Sequence, residues 1–477
     1  MKPGKVLVVL GSALVAACGG GASGTVAGID GGGALPPMAT GVTSQGPITG
    51  FGSIIVNGVR YDTSGATFTI DGVAGTEADL AVGQIVTVQG TLNSNGTTGV
   101  ANTVLFDDAV EGPIESIDLG SSSMVVLGQT VIINGDTSFE DDISPRSLDG
   151  LSPGDVVEVS GYRNSSDEVV ATRIELESPG SELEVTGFAR SVDTVAMTFV
   201  IGGLSIDYSA ALVEDFPNGM PEDGQLVEAS GTSLGAGGEL LATEIEFRGN
   251  DLDVDDGDDV EIEGLITRFV SATDFDVNGI PVTTNGSTQY EGGTSADLAL
   301  DRRIEVEGSL NASGVLVAEE IEFELEGSIR VGATVDSIAG VQVTLLGITF
   351  TLDANAEYED DSALALPTFG LTDIRAGDYL EVRAFDDNGT LVATRVERQD
   401  PAGEVFLRGV AENVANPTFT ILSVTIRTDG STDFEDANGL LIPAASFFPQ
   451  APGSVVEATG QFVGGEILAE EVELEND

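Results

Sequence analysis

The chain has 477 residues, with 79 acidic against 18 basic ones, a formal net charge of −61, no histidine, no tryptophan and a single cysteine. Without histidine and with one thiol, it lacks the residue types for Ser-His-Asp or Cys-His catalysis and for zinc or haem sites. So strong a negative field repels phosphate, which excludes nucleic acid as a partner and disfavours anionic lipid and polyanionic sugar.

In chain order, the first element reads as an export signal. Lys2 and Lys5 form a positive start, Val6–Leu10 and Ala13–Ala17 a short apolar stretch, and a small-residue run leads into Cys18. That stretch is too short to span a bilayer comfortably. The run Leu14-Val15-Ala16-Ala17-Cys18 resembles the bacterial lipobox. The resemblance implies that residues 1–17 are a signal peptide, and that Cys18 is acylated (with palmitate, for example) and becomes the new N-terminus. Gly19 follows where an aspartate would signal inner-membrane retention, which implies an outer-membrane lipoprotein, periplasmic or surface-exposed. An unpaired thiol is otherwise an oxidation liability outside the cytoplasm. Residues 18–45 are rich in Gly, Ala, Ser and Thr, and read as a flexible tether.

Six copies of one module follow. An apolar-acidic segment returns as Gly99–Phe106, Val169–Leu176, Leu240–Phe247, Leu316–Phe323, Leu391–Arg398 and Ile467–Leu474. Aligned on Ala101, Ala171, Ala242, Ala318, Ala393 and Ala469, the period is roughly 70–76 residues, a small β domain rather than a solenoid rung. The spacing divides the chain into repeats over 46–108, 109–180, 181–249, 258–325, 326–400 and 401–477.

Each copy reads as five strands. Asn57-Gly58 and Asn278-Gly279 sit between alternating apolar residues and mark a hairpin between the second and third strands; Leu127-Gly128, Gly202-Gly203 and Leu346-Gly347 hold that place elsewhere. A variable connection, filled by a short helix or turn, closes at pairs such as Gly83-Gln84 and Gly154-Asp155; the fourth copy has Leu300-Asp301 there. The fourth strand alternates cleanly, as in Ile304–Ser309, and the Ala-bearing segment is the fifth. Closing a five-stranded sheet removes its exposed edges. The expected fold is therefore all-β, a tandem array of six small, separate OB-like barrels on a semi-rigid string, with a small two-sheet sandwich as the alternative. The recurring alternating strand and its Ala-bearing partner resemble the bacterial repeat family described as domain of unknown function 5666, over roughly Gly46 to Leu474. That resemblance implies an envelope location and a β fold; it implies no activity and no functional residues.

Between copies three and four lies an acidic linker, 250–257. Asp251, Asp253 and Asp255 have the i, i+2, i+4 spacing of a calcium loop, with Gly257 free to turn. Asp256 at the loop's glycine position and Ile262 at its twelfth depart from the EF-hand pattern. A solvated spacer and a weak metal site that takes calcium as its cofactor are both compatible with this run. The expected function is a non-catalytic, lipid-anchored envelope protein: a spacer, adhesion or interaction scaffold for a protein partner. One alternative is a small-molecule or glycan module in the barrel mouths, using tyrosines near the third strand (Tyr61, Tyr208, Tyr290, Tyr358). The other is an array stiffened by calcium.

Overall fold

The structure, a computed structural model, describes residues 40–475 apart from 141, 249–253, 255–258, 324–328, 367, 388, 402 and 437–439. The fourth repeat shows the plan. Asp259–Ser271 pairs with Asp274–Val277, which pairs with Ile280–Thr283. Ile280–Thr283 runs parallel to the Ala-bearing strand Leu316–Phe323, which pairs with Arg303–Leu310, and that strand returns to Asp259–Ser271. Each repeat is thus one coil of short strands around an apolar centre.

Two recurring residues shape five of the six coils. The fourth strand's glycine faces the fifth strand's alanine (Gly90–Ala101, Gly161–Ala171, Gly231–Ala242, Gly308–Ala318, Gly460–Ala469), and the register slips at each of these pairs. A side chain on Gly308 would place its Cβ 2.2 Å from the Val317 carbonyl oxygen, so the bulge closes only without one. Repeat five has Ala384 opposite Ala393 instead.

The hairpins form where the sequence places them. Both turn residues take positive φ at Asn57-Gly58, Asn278-Gly279, Leu127-Gly128 and Leu346-Gly347. Leucine pays a steric cost of about 1–2 kcal/mol there. Leu127 offsets it by near-complete burial, worth about 1.5–3 kcal/mol. The variable connections carry one-turn helices at Glu77–Asp79, Leu148–Gly150, Leu371–Asp373 and Ala444–Phe447. In the last, Phe447 and Phe448 plug the core beside Phe419 and Phe434. One alignment shifts by a residue: in repeat four the position of Gly83 is held by Asp301, whose N–H bonds to Ile266 as that of Gly83 bonds to Ile48, at φ 63°.

Six separate OB-like barrels, and a string of them, are corrected by the strand pairing. The repeats stack as coils into continuous sheets, in the manner of a β-solenoid. Repeats one and four share a 13-stranded sheet through Val42–Gln45 against Asp259–Ile262. Repeats two and three share another through Val110 and Glu111 against Val185 and Glu184. Repeats five and six share an 11-stranded one through Arg330–Gly332 against Phe406–Arg408. One apolar core runs through repeats two and three, and one through five and six. The physical reason lies in the first strand. Its N-terminal half gives one edge to the fourth strand, and its other edge, unpaired within the repeat, is taken by a neighbour's first strand. The first of these strands, Thr40–Pro47, also claims the end of the segment expected to be tether.

Candidate functional site

The structural chemistry of this chain concentrates where repeats meet. Arginines supply several of the polar ties there. Arg173 donates to the Val82 carbonyl of repeat one at 2.9 Å and lies 3.7 Å from Glu359 of repeat five. Arg395 of repeat five bonds to the Ser138 hydroxyl of repeat two while pairing with Glu359 at 2.8 Å. Arg146 of repeat two pairs with Asp361 of repeat five. Burial alone would raise the Glu397 carboxyl; Arg395, with Arg383 and Arg146 nearby, holds it below the ordinary range.

A cavity of about 400 Å³ opens between repeats one to four, lined among others by Thr87, Asp108, Tyr162, Arg163, Phe188 and Asn278. One of its walls is an acidic junction. Asp107 and Asp108 connect repeat one to repeat two, and the next strand, Val110–Asp118, carries Glu111 into register with Glu158 on one side and Glu184 of repeat three on the other. Three carboxylates therefore stand side by side across three strands, an arrangement that disfavours all three being charged. The neighbouring repeats cover this row, leaving Glu184 5% and Glu111 9% exposed, and Asp108 beside it is 2% exposed. From repeat one, Asp71 comes in at the tip of the turn between Thr67–Ile70 and Val73–Gly75, at φ 45°.

Carboxylate oxygens of Asp71, Asp108 and Glu184 all lie within 4.8 Å of one another. The Asp71 carboxylate accepts the Asp108 backbone N–H. Among the described residues, neither oxygen of Asp108 nor Oε1 of Glu184 has a hydrogen-bond donor. On the rim, Arg248 pairs with Asp107 at 3.2 Å and Glu228 at 2.5 Å. Burial first, then neighbouring carboxylates, push Asp108 and Glu184 well above the ordinary carboxylate range. The same causes push Asp71 up to about 7 and Glu158 up to about 9.

Two other acidic groups have ligand-like spacing. Glu359, Asp361 and Glu397 are already matched by Arg395 and Arg146. Glu435, Glu471 and Glu473 sit on the open face of repeat six, where burial and neighbouring acids push Glu473 up to about 7.

Cys18 and the acidic residues Asp251, Asp253 and Asp255 lie outside the described residues. Tyr61 and Tyr208 are core residues, 0% and 2% exposed, Tyr358 is 8% exposed, and Tyr290 is half-buried against the core of repeat four, so the tyrosines near the third strand serve packing. Sequence reasoning singled out none of Asp107, Asp108, Glu111, Glu158 and Glu184, because alternation marks the outward face of a strand without saying what covers it. It also missed Thr137, Thr288 and Thr432, whose hydroxyls donate to the carbonyls of Ala171, Ala318 and Ala469 at 2.8 Å each. The recurring Asn/Asp-x-x-Thr before each of them was the available signal.

No curated protein is a significant match to the chain. The sequence model of the family described as Domain of unknown function (DUF5666) matches six segments, residues 42–104, 111–175, 186–246, 263–322, 333–397 and 408–473. These matches cover most of the chain and coincide with its six structural coils, so the protein belongs to the DUF5666 family as a six-repeat member.

Proposed function

We propose that this protein is a non-catalytic, lipid-anchored component of the bacterial cell envelope whose fused repeats act as an interaction scaffold. The observation that carries the reading is the lone cysteine of the sequence, Cys18, placed directly after Leu14-Val15-Ala16-Ala17 at the end of a short apolar run. A chain without histidine or a second thiol has few means of catalysis at neutral pH. Exposed leucines in the variable connections offer contact points for a protein partner: Leu364 is 67% exposed, and Leu440 and Leu441 are 63% and 68% exposed. Outer-membrane retention follows from Gly19 on this reading, and the tether would carry the repeats away from the bilayer.

A second reading, small-molecule binding, is favoured by the cavity between repeats one to four, where Phe188 and Tyr162 stand beside Arg163 and Asp108. The experiment that tests the leading reading is metabolic labelling with a palmitate analogue in cells expressing the full chain or Cys18→Ser. Label on the wild type, lost in the variant together with membrane fractionation, supports the anchor. Equal label, or membrane association retained without Cys18, removes it.

A further inference from the structure

We propose that Asp71, Asp108 and Glu184 hold a hard divalent cation of calcium size, and that this ion staples repeat one and its connection to repeat two onto repeat three. The site uses none of the residues of the acidic run that first suggests calcium in the sequence, and it stands whether or not Cys18 is acylated.

Geometry comes first. Three carboxylates, from repeat one (Asp71), the connection between repeats one and two (Asp108) and repeat three (Glu184), place a ligand oxygen each within 4.8 Å of the others. Oxygens bound to calcium at about 2.3–2.6 Å lie at most about 5 Å apart, so all three can reach one ion. The set contains only carboxylate oxygen, which selects hard cations over zinc or copper.

The second observation is independent of the clustering. Asp108 is 2% exposed, brings an oxygen into this group, and has no donor for either oxygen among the described residues. Glu184, 5% exposed, leaves Oε1 in the same state. A buried carboxylate left without donors costs several kcal/mol unless it takes up a proton or a cation.

The third is a comparison within the molecule. The junction of repeats five and six uses the same pairing, centred on Val331–Leu407 as the other is on Val110–Val185. One residue away, it sets Arg330 opposite Arg408, a like-charged pair of the other sign. There the protein supplies the counter-charge itself: Arg330 binds Glu381 at 2.5 Å and lies 3.8 Å from Glu457, while Arg408 lies 3.4 Å from Glu475. At the junction of repeats two and three the like pair is Glu111 and Glu184, and the guanidinium of Arg248 is directed to Asp107 and Glu228 on the rim. A divalent cation held by Asp71, Asp108 and Glu184 adds positive charge beside Glu184, as the carboxylates add negative charge at the other junction. The adjoining cavity, with Asp108 in its wall, gives the ion and its waters a way in.

The test is calorimetric titration of calcium chloride into the full mature chain, with thermal unfolding in calcium and in EDTA alongside. Asp71→Asn is the informative variant, because asparagine keeps the left-handed turn that this position needs (φ 45°) and changes only the charge. Asp108→Asn is the stronger one. The expected result is one saturable site per chain, weakened at least about tenfold in Asp71→Asn and absent in Asp108→Asn, with a Tm that rises with calcium in the wild type, needs more calcium to rise in Asp71→Asn and does not move in Asp108→Asn. Should Asp108→Asn fail to fold, the wild type and Asp71→Asn still decide the matter. The proposal is overturned if the wild type shows only unsaturable, salt-sensitive heat, if Asp71→Asn binds as the wild type does, or if EDTA leaves the Tm unmoved.

Discussion

At the scale of the residue, the repeat's signature has a steric origin. The fourth strand carries glycine and the fifth alanine where the two backbones touch at a bulge, because a side chain on Gly308 would lie 2.2 Å from a carbonyl oxygen. Gly308→Val is therefore expected to destabilise the protein by about 1–3 kcal/mol, read as a lower urea midpoint with an unchanged m-value. Ala384→Gly, at the one copy that already accommodates a methyl group, is expected to change stability by about 1 kcal/mol or less. An unchanged midpoint in Gly308→Val would remove the steric explanation. The alanine was legible in the sequence as a periodic mark and the glycine as the end of an alternating strand. Why they recur was not, because the contact joins residues about ten positions apart across a register slip that alternation does not encode.

At the scale of the element, strands deliver the chemistry. Asn57-Gly58 and Asn278-Gly279 were legible as hairpins because asparagine and glycine accept positive φ at little cost. The row Glu158, Glu111, Glu184 was not legible as a site. In sequence each is an outward residue on an alternating strand, and only the neighbour that covers it turns an exposed carboxylate into a buried one. That burial has a pH signature. Asp71 is raised to about 7 and Glu158 to about 9, so the native state holds more protons than the unfolded chain between the ordinary carboxylate range and those values. Stability must then fall as pH rises through that window. In EDTA, the Tm is expected to decline from about pH 5.5 to about pH 9, and Glu158→Gln to flatten the decline. A Tm that climbs over the same range, or a slope that the variant leaves intact, would contradict the assignment.

At the scale of the whole molecule, the period announced six modules, and the strand pairing shows that they are not independent. A short linker constrains where a module can go, but does not say whose edge it will meet. The partner of repeat one is repeat four, more than 200 residues away, through pairs such as Ser44 and Glu261. Edge complementarity of this kind leaves little mark on a single sequence, since every first strand carries the same alternation. With a net charge of −61, the chain spends its 16 arginines sparingly, several of them placed between repeats rather than on open faces. Association of repeats is thus built into the charge pattern as well as into the sheets.

The most direct measurement of that interlocking is a cross-link between repeats two and four. Ser165 donates both its N–H, at 2.6 Å, and its hydroxyl, at 2.9 Å, to the carboxylate of Asp301, 136 residues on, at an exposed contact that a reagent can reach. Ser165→Cys with Asp301→Cys, in a chain carrying Cys18→Ser, should be joined rapidly and nearly completely within the molecule by a short bismaleimide, seen as a shift in gel mobility. A pair that stays unlinked under conditions that label both thiols would show that the repeats do not share one interlocked structure.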